Sequence, residues 1–330
     1  MEIAKLYFTS PLHLSKGKSG LDTSFEVLHS DTLKSALFVC ALELGLIEGH
    51  NAVAFFESFT ISSAFPFVGS ELFFPRPELI PKSIAHNAKQ KGKGKIERKT
   101  LKKVQYFSKN TFEQLLNGTL VALKPCWIRE KAYYSEVDIK KPFDSETVQR
   151  VVVSRTQDED GSDTFYTDRL FFTEGVSGLF FIIRIHDGKQ RQVIQSALLL
   201  LGDNGIGSDK SVGNGQFDFT GFETIDFKTI EDAPKQVSLS LFSPKKGEVT
   251  EFIEQSAYSL VKRGGYIANP DDFDNSTLRK KSIVMFTEGS VFPNTTLVGD
   301  VKDLKPDVST VSHPIYRDGR ALFLPYNLKD

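Results

Sequence analysis

With 330 residues, 40% of them hydrophobic and 12% aromatic, the chain exceeds what one small core needs and is too apolar to be disordered, so two domains are expected. Forty-one basic residues against 42 acidic leave a formal charge of -1, which excludes a global positive field as the means of holding nucleic acid. No apolar run reaches the ~18 residues of a membrane span. The opening MEIAKLYFTSPLHLS lacks the layout of a signal peptide, so a soluble, cytoplasmic chain with no membrane association is expected. Cys40 and Cys126 form no Cys-x-x-Cys pair and have no neighbouring His pair; both are read as buried thiols, with no metal site, disulfide or cofactor.

In chain order, residues 3–8 alternate like a strand, and a polar stretch leads to a helix on which Leu33, Leu37, Cys40, Ala41 and Leu44 share a face. Ser30 or Asp31 is placed to cap that helix and Gly45 to end it. Residues 61–87, with Pro66, Pro75, Pro77 and Pro81 among aromatics, read as a loop or insertion. Residues 89–103, KQKGKGKIERKTLKK, form a basic run, either a solvated insertion or an electrostatic lure for RNA or neighbouring subunits. Residues 148–155 and 164–172 are β-prone and flank Asp160-Gly161, which predicts a hairpin with its tip there. Residues 179–185 then read as a strand and 190–201 as a helix stopped by Gly202. Ser35-Ala36-Leu37 and Ser196-Ala197-Leu198 occupy equivalent places in the two helices, which suggests an internal duplication of a strand-helix-led α+β unit. Further strands are expected at 216–222, 236–242 and 282–287.

The densest signal is GDNGIGSDKSVGNGQFDF, residues 202–219. Its glycines and Lys210-Ser211 invite a phosphate-binding reading, but a P-loop needs Gly-x-x-x-x-Gly-Lys-Ser between a strand and the helix that follows. Here two residues separate Gly207 from Lys210, and the loop follows a helix and precedes a strand. The dinucleotide fingerprint fails as well, because Lys210 stands where its third Gly belongs. What remains is either a long glycine turn or a loop whose backbone N–H groups and Lys210 approach phosphates.

This loop resembles the glycine-rich loop of the RAMP superfamily of CRISPR proteins. His29-Ser30-Asp31-Thr32-Leu33, the Phe65-Pro66-Phe67-Val68-Gly69 and Phe74-Pro75-Arg76-Pro77 pair, Arg263-Gly264-Gly265-Tyr266, residues 286–292 (FTEGSVF) and residues 313–319 (HPIYRDG) follow in order. Together they resemble the Csm-four family of type III-A effector subunits over nearly the whole chain. That resemblance implies an α+β chain of two ferredoxin-like (RRM-like) domains, divided here as 1–172 with the basic insertion and hairpin and 173–330 with the glycine loop. It implies a noncatalytic subunit that grips the repeat-derived 5′ handle of the guide RNA and joins the large polymerase-like subunit to the backbone RAMP subunit. It also implies a thumb-like role for the hairpin. Asp203 and Asp209 depart from the pattern by adding negative charge beside Lys210.

The RNA-binding set expected on this basis is Gly205, Gly207, Lys210, Ser211, Gly213, Gly215 and Gln216 in the loop, His29, Ser30 and Lys34 at the first helix, and Arg155 and Arg263. His29 has three readings: RNA contact, helix capping or packing, and general base of a guide-processing endoribonuclease. The nuclease reading, with His29 or His13 as base, lacks a visible partner acid. Phe107 and Phe112, followed by Leu115 and Leu116, read as core rather than base-stacking residues.

Overall fold

The alternation at the N-terminus serves two cores at once. In the computed structural model, which describes residues 1–15, 24, 26–81, 84, 98–153, 162–230, 232–267, 279–307 and 313–328, residues 2–8 form a central strand of a large sheet. Ile3 enters one core with Phe180 and Ile182; Ala4, Leu6 and Phe8 enter the other with Leu179, Phe181 and Ile183. Successive strand residues face opposite ways, so a strand covered on both faces reads as nearly continuous apolar sequence.

The strands of the first two thirds are β1 (Glu2–Phe8), β2 (Phe59–Ile61), β3 (Phe65–Val68), β4 (Glu71–Pro75), β5 (Tyr106–Ser108), β6 (Ile128–Arg129), β7 (Tyr133–Tyr134), β8 (Phe143–Val153), β9 (Ser162–Phe172), β10 (Ser177–Ile185), β11 (Phe217–Asp218) and β12 (Phe222–Thr224). The sheet runs β11-β1-β10-β3-β4-β5-β7-β6, with β12 also on β1 and β2 also on β10. Helices Ser30–Glu43 and Gln190–Asn204 pack against each other over the second core. The C-terminal strands β13 (Lys235–Ser238), β14 (Leu260–Arg263), β15 (Ile283–Phe286), β16 (Val291–Pro293), β17 (Val301–Asp303), β18 (Tyr316–Asp318) and β19 (Phe323–Tyr326) make a sheet β16-β13-β19 and the ribbons β14-β15 and β17-β18. Val237, Leu239, Val291, Leu324 and Tyr326 share the first core with Phe74, Phe107 and Phe112, so apolar burial fastens the C-terminal sheets onto the large one.

The fold is mixed α+β, and it departs from the expected division. β10 lies antiparallel beside β1 through the pairs Glu2–Ile183 to Leu6–Leu179, so a boundary at residue 172 would cut a sheet between its central strands. The two strand-helix segments expected to be copies lie in one sheet, with their helices packed against each other over the same face to bury their apolar sides. Within the stretch expected to be loop, residues 65–68 and 71–75 are strands, with Phe65, Phe67, Phe73 and Phe74 buried; the core's demand for aromatic volume outweighs the turn propensity of the prolines. Gly202 does not stop the second helix, which continues to Asn204 and ends at Gly205 with φ +74. A Cβ on Gly202 would lie 2.3 Å from the Phe217 carbonyl oxygen, so that glycine permits a close crossing of helix and strand.

β8 and β9 form the expected hairpin, paired from Phe143–Phe172 to Val153–Ser162 and starting at Phe143 rather than residue 148. Its tip at Asp160-Gly161 lies outside the described residues, as does residue 155. Phe143 and Leu170 sink its base into the second core, and Phe172 stacks on Phe8 at 4.9 Å. Of the two cysteines, Cys40 is buried, and burial first of all pushes its thiol up to about 11; Cys126 is exposed, on the short Pro125–Trp127 turn. Among the described residues no helix is long and apolar enough to cross a membrane.

Candidate nucleic-acid interface

The glycine loop folds mainly against its own chain. Ile206 N donates to Gly215 O (2.9 Å), Ser208 N to His13 O (3.0 Å) and Gly215 N to Pro11 O (2.8 Å). A Cβ would meet the Asn214 carbonyl oxygen at 2.6 Å from Gly205, that of His13 at 2.5 Å from Gly207 and that of Ile206 at 1.8 Å from Gly215. All three have positive φ. Close approach and left-handed backbone both demand glycine there, and the close neighbour is protein. Gln216 is likewise engaged, its N–H donating to Ser10 Oγ (2.8 Å) and its Nε2 to Asp203 O (3.0 Å).

Gly213 differs: φ is +79 and nothing lies within 4 Å of its would-be Cβ. It closes a one-turn 3-10 helix, Lys210–Val212, whose residues are exposed, with Val212 61% accessible. Arg150 of β8 pairs with Asp209 at 3.2 Å and ties the hairpin to the foot of this tip. Asp209 is therefore spoken for, which leaves Lys210 as the outward charge. Of the seven loop residues expected to meet RNA, the structure presents Lys210, Ser211 and Gly213 as a free surface and uses Gly205, Gly207 and Gly215 to build it.

The second expected group is buried. Ser30 Oγ accepts from Leu241 N (3.0 Å) and does not cap the helix, whose N-cap is His29 in extended conformation without a side-chain cap bond. His29 Nδ1 lies 2.8 Å from Glu288 Oε1, which also accepts from Ser63 Oγ. Burial pushes the Glu288 carboxyl up, but the His29 ring and the hydrogen bonds from His29 and Ser63 outweigh it and hold the group below the ordinary carboxylate range. Asp31, fully enclosed, binds Arg263 through two 3.0 Å contacts and also Arg317. Lys34 donates to the carbonyls of Phe56 and Phe59 (both 2.7 Å), pairs with Asp318 and lies 4.4 Å over the Phe59 ring. His29, Ser30, Lys34 and Arg263 thus form a polar seam between the first helix and the C-terminal segments, each engaged by protein partners.

Sequence reasoning missed the partners that make this seam, Asp31, Glu288, Arg317 and Asp318. The available signal was charge: each lies in a quoted motif, and its partner of opposite sign sits far along the chain. His13 is also enclosed, Nδ1 lying 2.6 Å from Asp168 O. Among the described residues no group of three or more His, Cys, Asp or Glu is placed to hold a metal ion.

The seam predicts an alkaline effect. Burial depresses Lys34 to about 8, against the Asp318 charge that raises it. Between about 8 and the ordinary lysine value the unfolded chain holds the extra proton, so stability rises with pH in that window. The unfolding free energy of wild type relative to Lys34→Met is expected to shift in wild type's favour from about pH 8 to 10.5, read from urea denaturation. A flat difference would mean that the ammonium is not desolvated.

Residues 231–326 match the family model described as the CRISPR Csm4 C-terminal domain. That stretch carries Arg263, Glu288, Arg317 and Asp318, the C-terminal side of the seam. Curated proteins named CRISPR system Cms protein Csm4 align along the chain: 24% identical for Methanocaldococcus jannaschii (100% of this chain, 98% of the relative) and 26% for Mycobacterium tuberculosis (93% of each). The chain is similar to Csm4 proteins from end to end. The relative from Thermococcus onnurineus is 29% identical, covering 82% of this chain and 83% of its own. The fold is shared with a solved Csm3-Csm4 subcomplex of the type III-A CRISPR-Cas interference complex (TM-score 0.66, 20% identity, 99% of this chain and 100% of that one). A Csm1-Csm4 cassette in complex with cA4 gives a TM-score of 0.59 at 20% identity, covering 100% and 99%.

Proposed function

We propose that the chain is a noncatalytic, cytoplasmic subunit of a type III-A CRISPR ribonucleoprotein complex. It binds the repeat-derived 5′ handle of the guide RNA and links the large polymerase-like subunit to the backbone RAMP subunit, without a cofactor. The whole-length similarity to curated Csm4 proteins carries this reading. The solved relatives sharing the fold are described as assemblies with Csm3 and with Csm1, which is the basis for the two protein partners. The order β12-β1-β10-β2, with both long helices on one face, is what supports a ferredoxin-like unit; the glycine loop belongs to that unit, since it joins the Gln190–Asn204 helix to β11. A second such unit finds no helix-covered four-stranded sheet among the described C-terminal residues.

RNA contact rests on the exposed Lys210, Ser211 and Gly213 beside the hairpin. The nuclease alternative is disfavoured by the burial of both histidines, since neither presents a base to a ribose hydroxyl. Co-expression with Csm1- and Csm3-type subunits and a repeat array is expected to yield one complex with guide RNA. Lys210→Ala should weaken handle RNA binding by about 1.5–3 kcal/mol, the range for a charged hydrogen-bonded contact. Purified protein should leave repeat RNA intact without metal. Cleavage abolished by His29→Ala, or a complex that forms without this chain, would overturn the reading.

A further inference from the structure

Three of the motifs that carry the family resemblance meet at a cleft that neither the seam nor the glycine loop explains. Phe65, the Pro75-Arg76-Pro77 run and Glu288 line it together with Tyr106, and Lys102 and Gln105 stand exposed at its rim. Its volume is about 290 Å³, close to the lower bound for small-ligand sites. The backbone holds the motifs in place: Arg76 N donates to Gln105 O (2.7 Å) and Glu78 N to Gly289 O (2.8 Å). A Cβ on Gly289, where φ is +84, would collide with the Arg76 carbonyl oxygen, so that glycine lets the C-terminal segment close on the Pro75-Arg76-Pro77 run.

The cleft holds unspent hydrogen-bonding capacity of both kinds. Glu288 Oε1 takes His29 Nδ1 and Ser63 Oγ, whereas Oε2 accepts from no other residue among the described ones, and the side chain is only 8% accessible. The Arg76 guanidinium gives one N–H to Leu101 O (3.0 Å) and has no carboxylate in salt-bridge range among the described residues. Tyr106 is buried and stacked on Tyr133 at 5.2 Å, and its hydroxyl makes no hydrogen bond among the described residues. Burial, then the charges of Glu26 and Glu288, push that hydroxyl well above its ordinary value, so it stays protonated and both donates and accepts. The stretches outside the described residues that adjoin the lining in sequence, 16–23 and 85–97, hold six lysines against Asp22 and Glu97, an excess of the sign that attracts RNA.

We propose that this cleft seats one unstacked base of the guide RNA handle, adenine or cytosine, whose amino group donates to Glu288 Oε2 and whose adjoining ring nitrogen accepts from Arg76 or Tyr106. The Watson–Crick edges of these two bases put an amino group beside an unprotonated ring nitrogen, an arrangement that guanine and uracil lack there. A neutral, flat ring with donor and acceptor side by side matches an enclosed carboxylate next to a guanidinium. A protein side chain does not: lysine or arginine would meet Arg76 and Lys102, and aspartate or glutamate would meet Glu288. The inference rests on the RNA-binding reading above and separates base recognition here from phosphate contact at the Lys210 tip.

The test is handle RNA binding by the full chain with analogues placed one position at a time, inosine for adenosine and uridine for cytidine, each turning an amino group into a carbonyl. At one position wild type is expected to lose about 5- to 150-fold in affinity, the range for one directed base contact. Glu288→Gln should reverse that preference. His29 and Ser63 hold the amide oxygen where Oε1 was, which leaves the amide N–H group facing the cleft to donate to the analogue's carbonyl. No penalised position in wild type, or the same penalty in Glu288→Gln, overturns the cleft and leaves the Lys210 reading to its own variant. If wild type binds no handle RNA, both fall. Should Glu288→Gln fail to fold, Tyr106→Phe, which removes one hydroxyl, is expected to shrink the wild-type penalty at the same position, and an unchanged penalty refutes the site. Loss of association with Csm1- or Csm3-type subunits at unchanged RNA affinity in either variant would make the cleft a protein seat and overturn the proposal.

Discussion

Asp31→Ala is expected to cost about 3–5 kcal/mol of folding stability. The carboxylate is fully enclosed and holds two guanidinium groups, Arg263 and Arg317, from a segment more than half the chain away. Burial already lowers Arg317 to about 10. Without Asp31 two cations would remain desolvated at one point, which costs more than the pair contributes beyond an apolar replacement. Asp31→Asn keeps an acceptor but not the charge and should fall between alanine and wild type. Urea unfolding checks both, and a loss below about 1 kcal/mol for Asp31→Ala would show that water reaches the arginines.

Gly215→Ala should be comparably damaging, by about 3 kcal/mol or more, while Gly213→Ala should cost about 1–2 kcal/mol. Both positions have left-handed backbone, with φ +78 and +79, so conformational strain alone does not separate them. Space does. The Gly215 Cβ would collide with a carbonyl oxygen of the same loop, and the Gly213 Cβ would enter open solvent. Gly213→Ala is therefore the informative variant for RNA, because it stays folded and places a methyl on the exposed tip. Thermal melting and handle RNA affinity measured on the same samples decide the matter. A Gly215→Ala protein that melts like wild type yet loses RNA would mean that the loop rearranges on binding and that its glycines face RNA after all.

The local patterns were legible. Period-two apolarity marked β1, a β-prone run marked β10, period 3.6 marked both long helices, and the residues flanking Asp160-Gly161 marked the β8-β9 pairing; each signal is local in the chain. Motif order likewise pointed to the family, and the loop's place after a helix and before a strand excluded nucleotide binding without any structure. What sequence left undecided is pairing at long range. Nothing local in Leu179 or Ile183 states that β10 lies beside β1, so two segments of one sheet read as two copies. A glycine's sequence neighbours do not tell whether its missing Cβ makes room for RNA or, as at Gly205, Gly207 and Gly215, for another carbonyl of the same chain. A lysine or histidine near a helix start looks like a ligand-binding residue until burial and a partner 259 or 284 residues away, Glu288 for His29 or Asp318 for Lys34, turn it into a joint between segments. Charge type is local, but desolvation and partner choice are properties of the packed chain, and they alone divided the expected RNA surface into an exposed tip and a buried seam.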